Sequence, residues 1–209
     1  MQTNGLMKIL HRTLENPHIF NAVVSLFGVG GRGKALHGFL GRIIAQEATE
    51  TILEIGCGTG QFQKHFLNTA NFYVAIDINL EYLNHCLRID HRPHFALSTS
   101  VCLPFKSQMF NTVFALFMLH HLSDDEMLRT LREIKRCLKP NGKLILVEPF
   151  RDQRKWDWFG KFLVRFDRGR WIRHRNKFEH MLRQAGFPEF VEGKLPRSWP
   201  YDISVYKVR

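Results

Sequence analysis

The chain has 209 residues, 44% of them hydrophobic, and a net charge of +11. This length points to one domain with room for a small appendage, and the apolar content can build a core, which excludes a disordered chain. The charge admits phosphate-bearing substrates, nucleic acid or an anionic membrane surface as partners, and it also serves simply to keep a protein in solution.

The four cysteines, Cys57, Cys86, Cys102 and Cys137, are far apart and form no CxxC pair. Their spacing indicates neither a disulfide framework nor a zinc site, and no metal site is expected. Reduced, mostly buried thiols fit a cytoplasmic protein. The one apolar run near the start, Ile19 to Val29, is too short to cross a bilayer and lacks the flanks of a signal peptide.

Residues 1–50 read as a helical cap ahead of the main domain. Leu6 to Leu14 and Phe20 to Phe27 suit short helices, and Gly28, Gly30, Gly31 and Gly33 break the chain after them. Leu36, Phe39, Leu40, Ile43 and Ile44 recur at helical spacing, which predicts an amphipathic helix from Lys34 to Gln46. This region either packs on a sheet or forms a flap over a site.

The stretch Thr51-Ile52-Leu53-Glu54-Ile55-Gly56-Cys57-Gly58-Thr59-Gly60 opens the main domain. Its first half is a buried strand, and its second half alternates glycines before a helix over Gln61 to Leu67. Glycines let a backbone approach a ligand closely, and N–H groups at a helix start favour anions. Phe72 to Asp77 is a second strand that closes on a carboxylate. Asp77 lies about twenty residues beyond the first glycine, the separation at which an acidic residue reaches a ribose in nucleotide-binding βαβ units.

Glu81 to Arg88 reads as a helix, and His94 to Ser98 as a weak third strand. Thr112 to Phe117 is fully apolar, as in a parallel sheet covered on both faces. Ser123 and Glu126 form a capping box for a helix whose buried stripe is Met127, Leu131, Ile134 and Leu138, with Pro140-Asn141-Gly142 as its stop. Lys143 to Val147 is a fifth strand, followed by Glu148. Strands alternating with helices in this way predict a doubly wound α/β fold, with ligands at the carboxyl ends of the strands.

From Arg151 to Lys177 the chain holds ten Lys or Arg, three Asp and six Phe or Trp. Phe159, Phe162, Leu163 and Phe166 fall at helical spacing, like a basic amphipathic helix that contacts an anionic membrane surface. Asn176 to Ala185 is the next helix, ended by Gly186, and Glu189 to Leu195 and Asp202 to Val208 are closing strands.

From about Ile52 onward the sequence resembles the class I S-adenosylmethionine-dependent methyltransferases, and most of all the small-molecule group that includes quinone-biosynthesis enzymes. The residues that carry the resemblance are Leu53 to Gly60, Ala75-Ile76-Asp77, Leu103-Pro104-Phe105 and Leu119-His120-His121-Leu122. Leu138 to Leu144, Glu148-Pro149 and Gln184-Ala185-Gly186-Phe187 add to it. The alternating glycines also differ from the G-x-G-x-x-G of nicotinamide enzymes.

The resemblance implies a Rossmann-like, seven-stranded sheet with its last strand antiparallel, spanning residues 51–209, with 151–177 inserted as a basic aromatic lid. It implies that S-adenosylmethionine is held by Glu54, Gly56, Cys57, Gly58 and Gly60 at its amino-acid end. Asp77, with Ile78 beside it, would take the ribose, Thr99, Ser100 and Val101 would flank the adenine, and Phe117 would lie near the methionine part. The family usually has Asp where this chain has Thr99 and Asn111.

Methyl transfer from a sulfonium needs alignment in a dry pocket, and a base only where the acceptor must lose a proton. His121, His120 and Glu148 are the candidate catalytic residues. The expected substrate is a small hydrophobic or amphiphilic molecule, methylated by a cytoplasmic enzyme in peripheral contact with a membrane. The alternatives are an RNA, DNA or protein methyltransferase, for which charge is the only argument, and a non-catalytic S-adenosylmethionine-binding protein.

Overall fold

In the computed structural model the described residues are 13, 16–19, 21, 30–151, 171–194 and 202–209. The expected helices at Leu6 to Leu14 and Phe20 to Phe27 lie largely outside them, as does the basic amphipathic helix around Phe159 to Phe166. The elements in order are α1 (Gly30–Glu47), β1 (Thr51–Ile55), α2 (Gln63–Leu67), β2 (Phe72–Asp77), α3 (Leu80–Ile89) and β3 (His94–Leu97). After these come β4 (Phe110–Leu116), α4 (Asp124–Cys137), β5 (Leu138–Phe150), α5 (Arg175–Gln184), β6 (Phe190–Lys194) and β7 (Asp202–Val208).

The strands form one seven-stranded sheet in the order β3-β2-β1-β4-β5-β7-β6. β1 pairs in parallel with β2 and β4, with Leu53 opposite Val74 and Val113. β7 runs antiparallel to both β5 and β6. The chain order reverses beside β1, which makes the carboxyl ends of β1 and β4 the switch point where open α/β sheets bind ligands.

Residues that alternate along a strand point to opposite faces, so the two faces bury different sets. On one face Leu53, Ile55, Val113 and Leu146 share a core with Met127, Leu131 and Ile134 of α4 and with Phe178 and Leu182 of α5. On the other, Ile52, Ala75, Phe114 and Ile145 share a core with Leu40 and Ile44 of α1, Phe66 of α2 and Leu83 of α3. Phe66 stacks on Tyr73 and meets Phe114 edge-on, with ring centroids 5.0 and 4.9 Å apart.

The boundaries that differ most from expectation are the start of α1 and the junction of α4 with β5, which begins at Leu138. α1 begins at Gly30, so Gly30, Gly31 and Gly33, expected to help break the chain, occupy its start. Burial of Leu40, Ile43 and Ile44 outweighs the low helix propensity of glycine here. α4 stops at Cys137, three residues before Pro140, because Leu138 turns to extended backbone (φ −71, ψ 137) and pairs with Phe110. Leu138 therefore leaves the helical stripe and remains buried as a strand residue. The residue before a proline avoids the helical region, which makes an early stop favourable.

The capping box of α4 is formed on both sides. The Ser123 hydroxyl oxygen accepts the Glu126 N–H at 3.3 Å, and the Ser123 N–H reaches Glu126 Oε2 at 2.8 Å. Ser123→Ala is expected to cost about 1 kcal/mol, seen as a lower urea midpoint with an unchanged slope.

Candidate functional site

The loop after β1 is built by three glycines with left-handed backbone, Gly56 (φ 73), Gly58 (φ 55) and Gly60 (φ 74). A Cβ at Gly56 would lie 2.5 Å from Met118 Cγ, so the loop and the turn after β4 touch there. A Cβ at Gly58 would meet nothing within 4 Å, so at that point the loop borders open space. Positive φ and close approach together explain why glycine occupies these positions.

The loop's N–H groups are largely engaged. Those of Gly56 and Cys57 donate to the Ile76 carbonyl, that of Gly60 to Cys57, and that of Gln63 to Gly60. The Gly58 N–H donates to Asp77 Oδ2 at 2.8 Å. The expectation of free N–H groups at a helix start is met only in part, since those of Gln63 and His65 donate to the Gly60 and Phe62 carbonyls, and α2, at five residues, is a short helix. What the loop offers a ligand is close approach and carbonyl oxygens with a second lone pair, which suit an ammonium group.

Glu54 lies beneath this loop, 2% exposed, on the face that also carries Ile52 and Tyr73. It accepts a hydrogen bond from the Tyr73 hydroxyl. Burial raises its pKa to about 7 from the ordinary 4.5; the Tyr73 bond opposes the rise and the nearby Asp77 charge adds to it. Cys57 packs beside it, and its thiol is pushed well up by its contact with Cys86, by burial and by the carboxylates nearby. The Cys86 thiol in turn donates to the Gly58 carbonyl at 3.4 Å.

Asp77 sits at the carboxyl end of β2, and its Oδ1 accepts the Asn79 N–H at 2.8 Å. A carboxylate accepts several hydrogen bonds at once, which suits a vicinal diol. Ile78 beside it is 78% exposed, and Leu97, opposite Asp77 on β3, is 56% exposed. Both are exposed apolar side chains at this strand end. Thr99 is exposed next to them, and its Oγ1 is 3.5 Å from the Val101 N–H. Ser100 turns inward and bonds Thr130 of α4 at 2.9 Å, so its hydroxyl belongs to the packing of the loop. Asn111 stands near the start of β4, at the amino ends of the parallel strands and so opposite the strand ends that carry Asp77 and the glycine loop. Its Oδ1 accepts from Thr51 Oγ1 at 2.6 Å and Lys139 Nζ at 2.9 Å, so it knits strands together away from the site.

The turn after β4 forms the other wall. Phe117 has φ 55, a costly conformation for a bulky residue, and its N–H donates to the Val147 carbonyl at 2.7 Å. Leu119–His121 is a 3₁₀ turn. Glu148, 2% exposed, caps its start by accepting the N–H groups of Met118 (2.9 Å), Leu119 (2.7 Å) and His120 (3.2 Å). It also meets His120 Nδ1 at 2.8 Å. With the carboxylate accepting, Nδ1 carries the proton and Nε2 is the basic nitrogen. Glu148 is therefore spent on holding the turn, and its part is positioning.

Arg173 holds the far end of the same turn. It is 7% exposed and donates to the carbonyls of Leu119 (3.0 Å) and Leu122 (2.6 Å) and to Asp124 Oδ1 (2.9 Å). The Trp171 N–H reaches the His120 carbonyl at 2.9 Å. An anion at the start of a turn and a cation at its end both suit its dipole. His120 is buried and His121 exposed, with ring centroids 4.2 Å apart.

Arg173 and Tyr73 were not anticipated. Arg173 meets the turn across about fifty residues of sequence, a contact that carries no local signal. Tyr73 does leave one. A Glu inside an apolar strand needs a donor, and Tyr73 supplies it from the neighbouring strand. Among the described residues no group of three or more His, Cys, Asp or Glu could hold a metal ion.

A parallel sheet with an antiparallel β7, a glycine loop at its switch point and a carboxylate on the next strand define the class of fold. Residues 53–146 match the family described as a methyltransferase domain. The sequence is 26% identical over 137 residues to the demethylmenaquinone methyltransferase of Streptomyces griseus, covering 64% of this chain and 55% of that protein. The chain thus spans about half the length of this curated relative.

Among solved structures, a Leishmania major S-adenosylmethionine-dependent methyltransferase aligns with a TM-score of 0.71 and 14% identity, covering 90% of this chain and 77% of that one. An N-methyltransferase of Haemonchus contortus, solved with S-adenosylhomocysteine, aligns with a TM-score of 0.74 and 16% identity over 100% of this chain and 61% of that one. Residues 53–146 thus match a methyltransferase-domain family, and the fold is shared with methyltransferases of known structure.

The buried Glu54 gives this domain a pH dependence. The folded protein keeps its proton up to about pH 7, whereas the unfolded chain releases it near the ordinary 4.5. Its stabilising contribution is therefore complete below the lower value and is lost as pH rises through the upper one. Glu54→Gln, which cannot titrate, is expected to flatten this slope, measured as denaturant midpoints at about pH 5 and about pH 8.

Proposed function

We propose that this chain transfers the methyl group of S-adenosylmethionine to a small, hydrophobic or amphiphilic acceptor. The observation that carries the reading is the glycine loop open to space at Gly58, with Asp77 beside it, inside a sequence that matches a methyltransferase domain. The cofactor supplies a methyl group already activated on a positively charged sulfur.

The chain's own residues supply alignment and dryness. Gly56, Gly58 and Gly60 let the amino-acid end lie against backbone, and the carbonyls of the loop receive its ammonium. Asp77 takes the ribose hydroxyls, and the exposed apolar side chains of Ile78 and Leu97 cover a flat base. Thr99 stands exposed where relatives usually carry Asp, and its hydroxyl offers the base a hydrogen-bond acceptor. Phe117 and Met118 close the side toward the acceptor.

For an acceptor that must lose a proton, His120 and His121 are the acceptors of that proton, with Nε2 of His120 presented by the Glu148 bond. The small-molecule reading draws support from the quinone-type relative. Residues 151–177, basic and aromatic, are the proposed substrate lid and the proposed contact with an anionic membrane surface on the cytoplasmic side. Trp171 and Arg173, seated on the histidine turn, bring the end of that stretch to the site. No helix among the described residues is long and apolar enough to cross a membrane.

Calorimetry is expected to show binding of S-adenosylmethionine, weakened about tenfold or more by Asp77→Ala through loss of charge-assisted hydrogen bonds. Labelled methyl is expected to enter a lipid extract rather than total RNA. Label in RNA alone would move the acceptor to nucleic acid, and the absence of any cofactor binding would remove the reading altogether.

A further inference from the structure

The described residues ahead of α1 touch the glycine loop at one point and α3 at another. The Thr59 hydroxyl, in a residue only 3% exposed, donates to Oδ1 of Asn21 at 2.6 Å. His18 sets its ring edge-on against His85 of α3, with centroids 5.4 Å apart and planes at 85°. His85 adjoins Cys86, the residue whose thiol bonds the Gly58 carbonyl. The position of His18 is fixed locally. Asn16 Oδ1 accepts the N–H groups of His18 at 2.9 Å and Ile19 at 3.3 Å, and Pro17 is buried.

The loop is therefore gripped from two sides. Asp77 holds the Gly58 N–H from the strand side, and Asn21 holds the next residue's side chain from the N-terminal side. Thr59 stands between two glycines with left-handed backbone, Gly58 and Gly60. Glycine backbone is the most permissive in the chain, so the conformation between them has to be imposed by contacts. A buried hydroxyl deprived of its acceptor is costly, and the loop would relax to satisfy it.

We propose that Asn21 is a positioning residue for the cofactor, and that the segment bearing Asn16 to Ile19 and Asn21 is a latch on the glycine loop. The proposal rests on the reading of that loop as the S-adenosylmethionine site. The latch acts through order: the loop is set before the ligand arrives, so binding does not have to fix it. Its loss appears chiefly as faster ligand release.

The test uses the full chain and S-adenosylhomocysteine, followed by calorimetry and by stopped-flow dissociation. Asn21→Ala is expected to weaken binding about fivefold to tenfold. Thr59→Val should do the same, and the double variant should be no weaker than either single one, because both remove one bond. Asn21→Asp keeps an oxygen acceptor and should bind within about twofold of the parent chain. Amide exchange without any ligand gives an independent readout. In Asn21→Ala the amides of Cys57 to Gly60 should exchange faster, while those of β4 and β5 stay unchanged.

Unchanged affinity in Asn21→Ala, losses that multiply in the double variant, or uniform acceleration of exchange across the sheet would each overturn the proposal. A parent chain that binds no S-adenosylhomocysteine overturns the reading of the site instead, and the exchange measurement still decides whether Asn21 holds the loop.

Discussion

One buried carboxylate, Glu148, ties the two halves of the site together. It takes three consecutive N–H groups of the turn after β4 and the Nδ1 of His120. A carboxylate that is 2% exposed is tolerable only when its lone pairs are satisfied, and here the turn satisfies them. Met118, held by its N–H, packs its side chain on Gly56. The proposed acceptor wall and the proposed cofactor loop are therefore in contact through one residue whose backbone Glu148 fixes. The left-handed Phe117 immediately before it is the strain that this arrangement sustains.

Polar groups inside the sheet follow the same rule. Glu54 finds Tyr73, Ser100 finds Thr130, and Arg173 finds three carbonyls and Asp124. Their satisfaction separates the buried groups, which hold the region in shape, from the exposed ones, which the proposed site presents to a ligand. Ile78, Thr99 and His121 belong to the second set. Glu54, Ser100 and Glu148, although they stand in the segments that form the site, belong to the first.

Most of the fold was legible in the sequence because each strand carried its own period and punctuation. Phe72 to Asp77 and Asp202 to Val208 fall where their apolar runs placed them. The capping box at Ser123 marked the start of α4, but its end was misplaced, since Leu138 suits a helical stripe and a strand equally well and only pairing with Phe110 decides. Gly30, Gly31 and Gly33 read as part of a break, yet tertiary burial carried the helix through them.

At the site, Asp77 and the glycines were legible from spacing. The Asn21 and Arg173 contacts were not, because each joins segments distant in sequence, and the use of the loop N–H groups by protein acceptors is decided only in three dimensions.

The central claim is that the loop from Gly56 to Gly60 and the strand end at Asp77 form the S-adenosylmethionine site. Ultraviolet crosslinking with methyl-labelled S-adenosylmethionine, followed by peptide mapping, tests it most directly. The account predicts label on the peptides that carry Cys57 to Gly60 or Ile78, competed away by S-adenosylhomocysteine. Competable label confined to peptides from another part of the chain would contradict it.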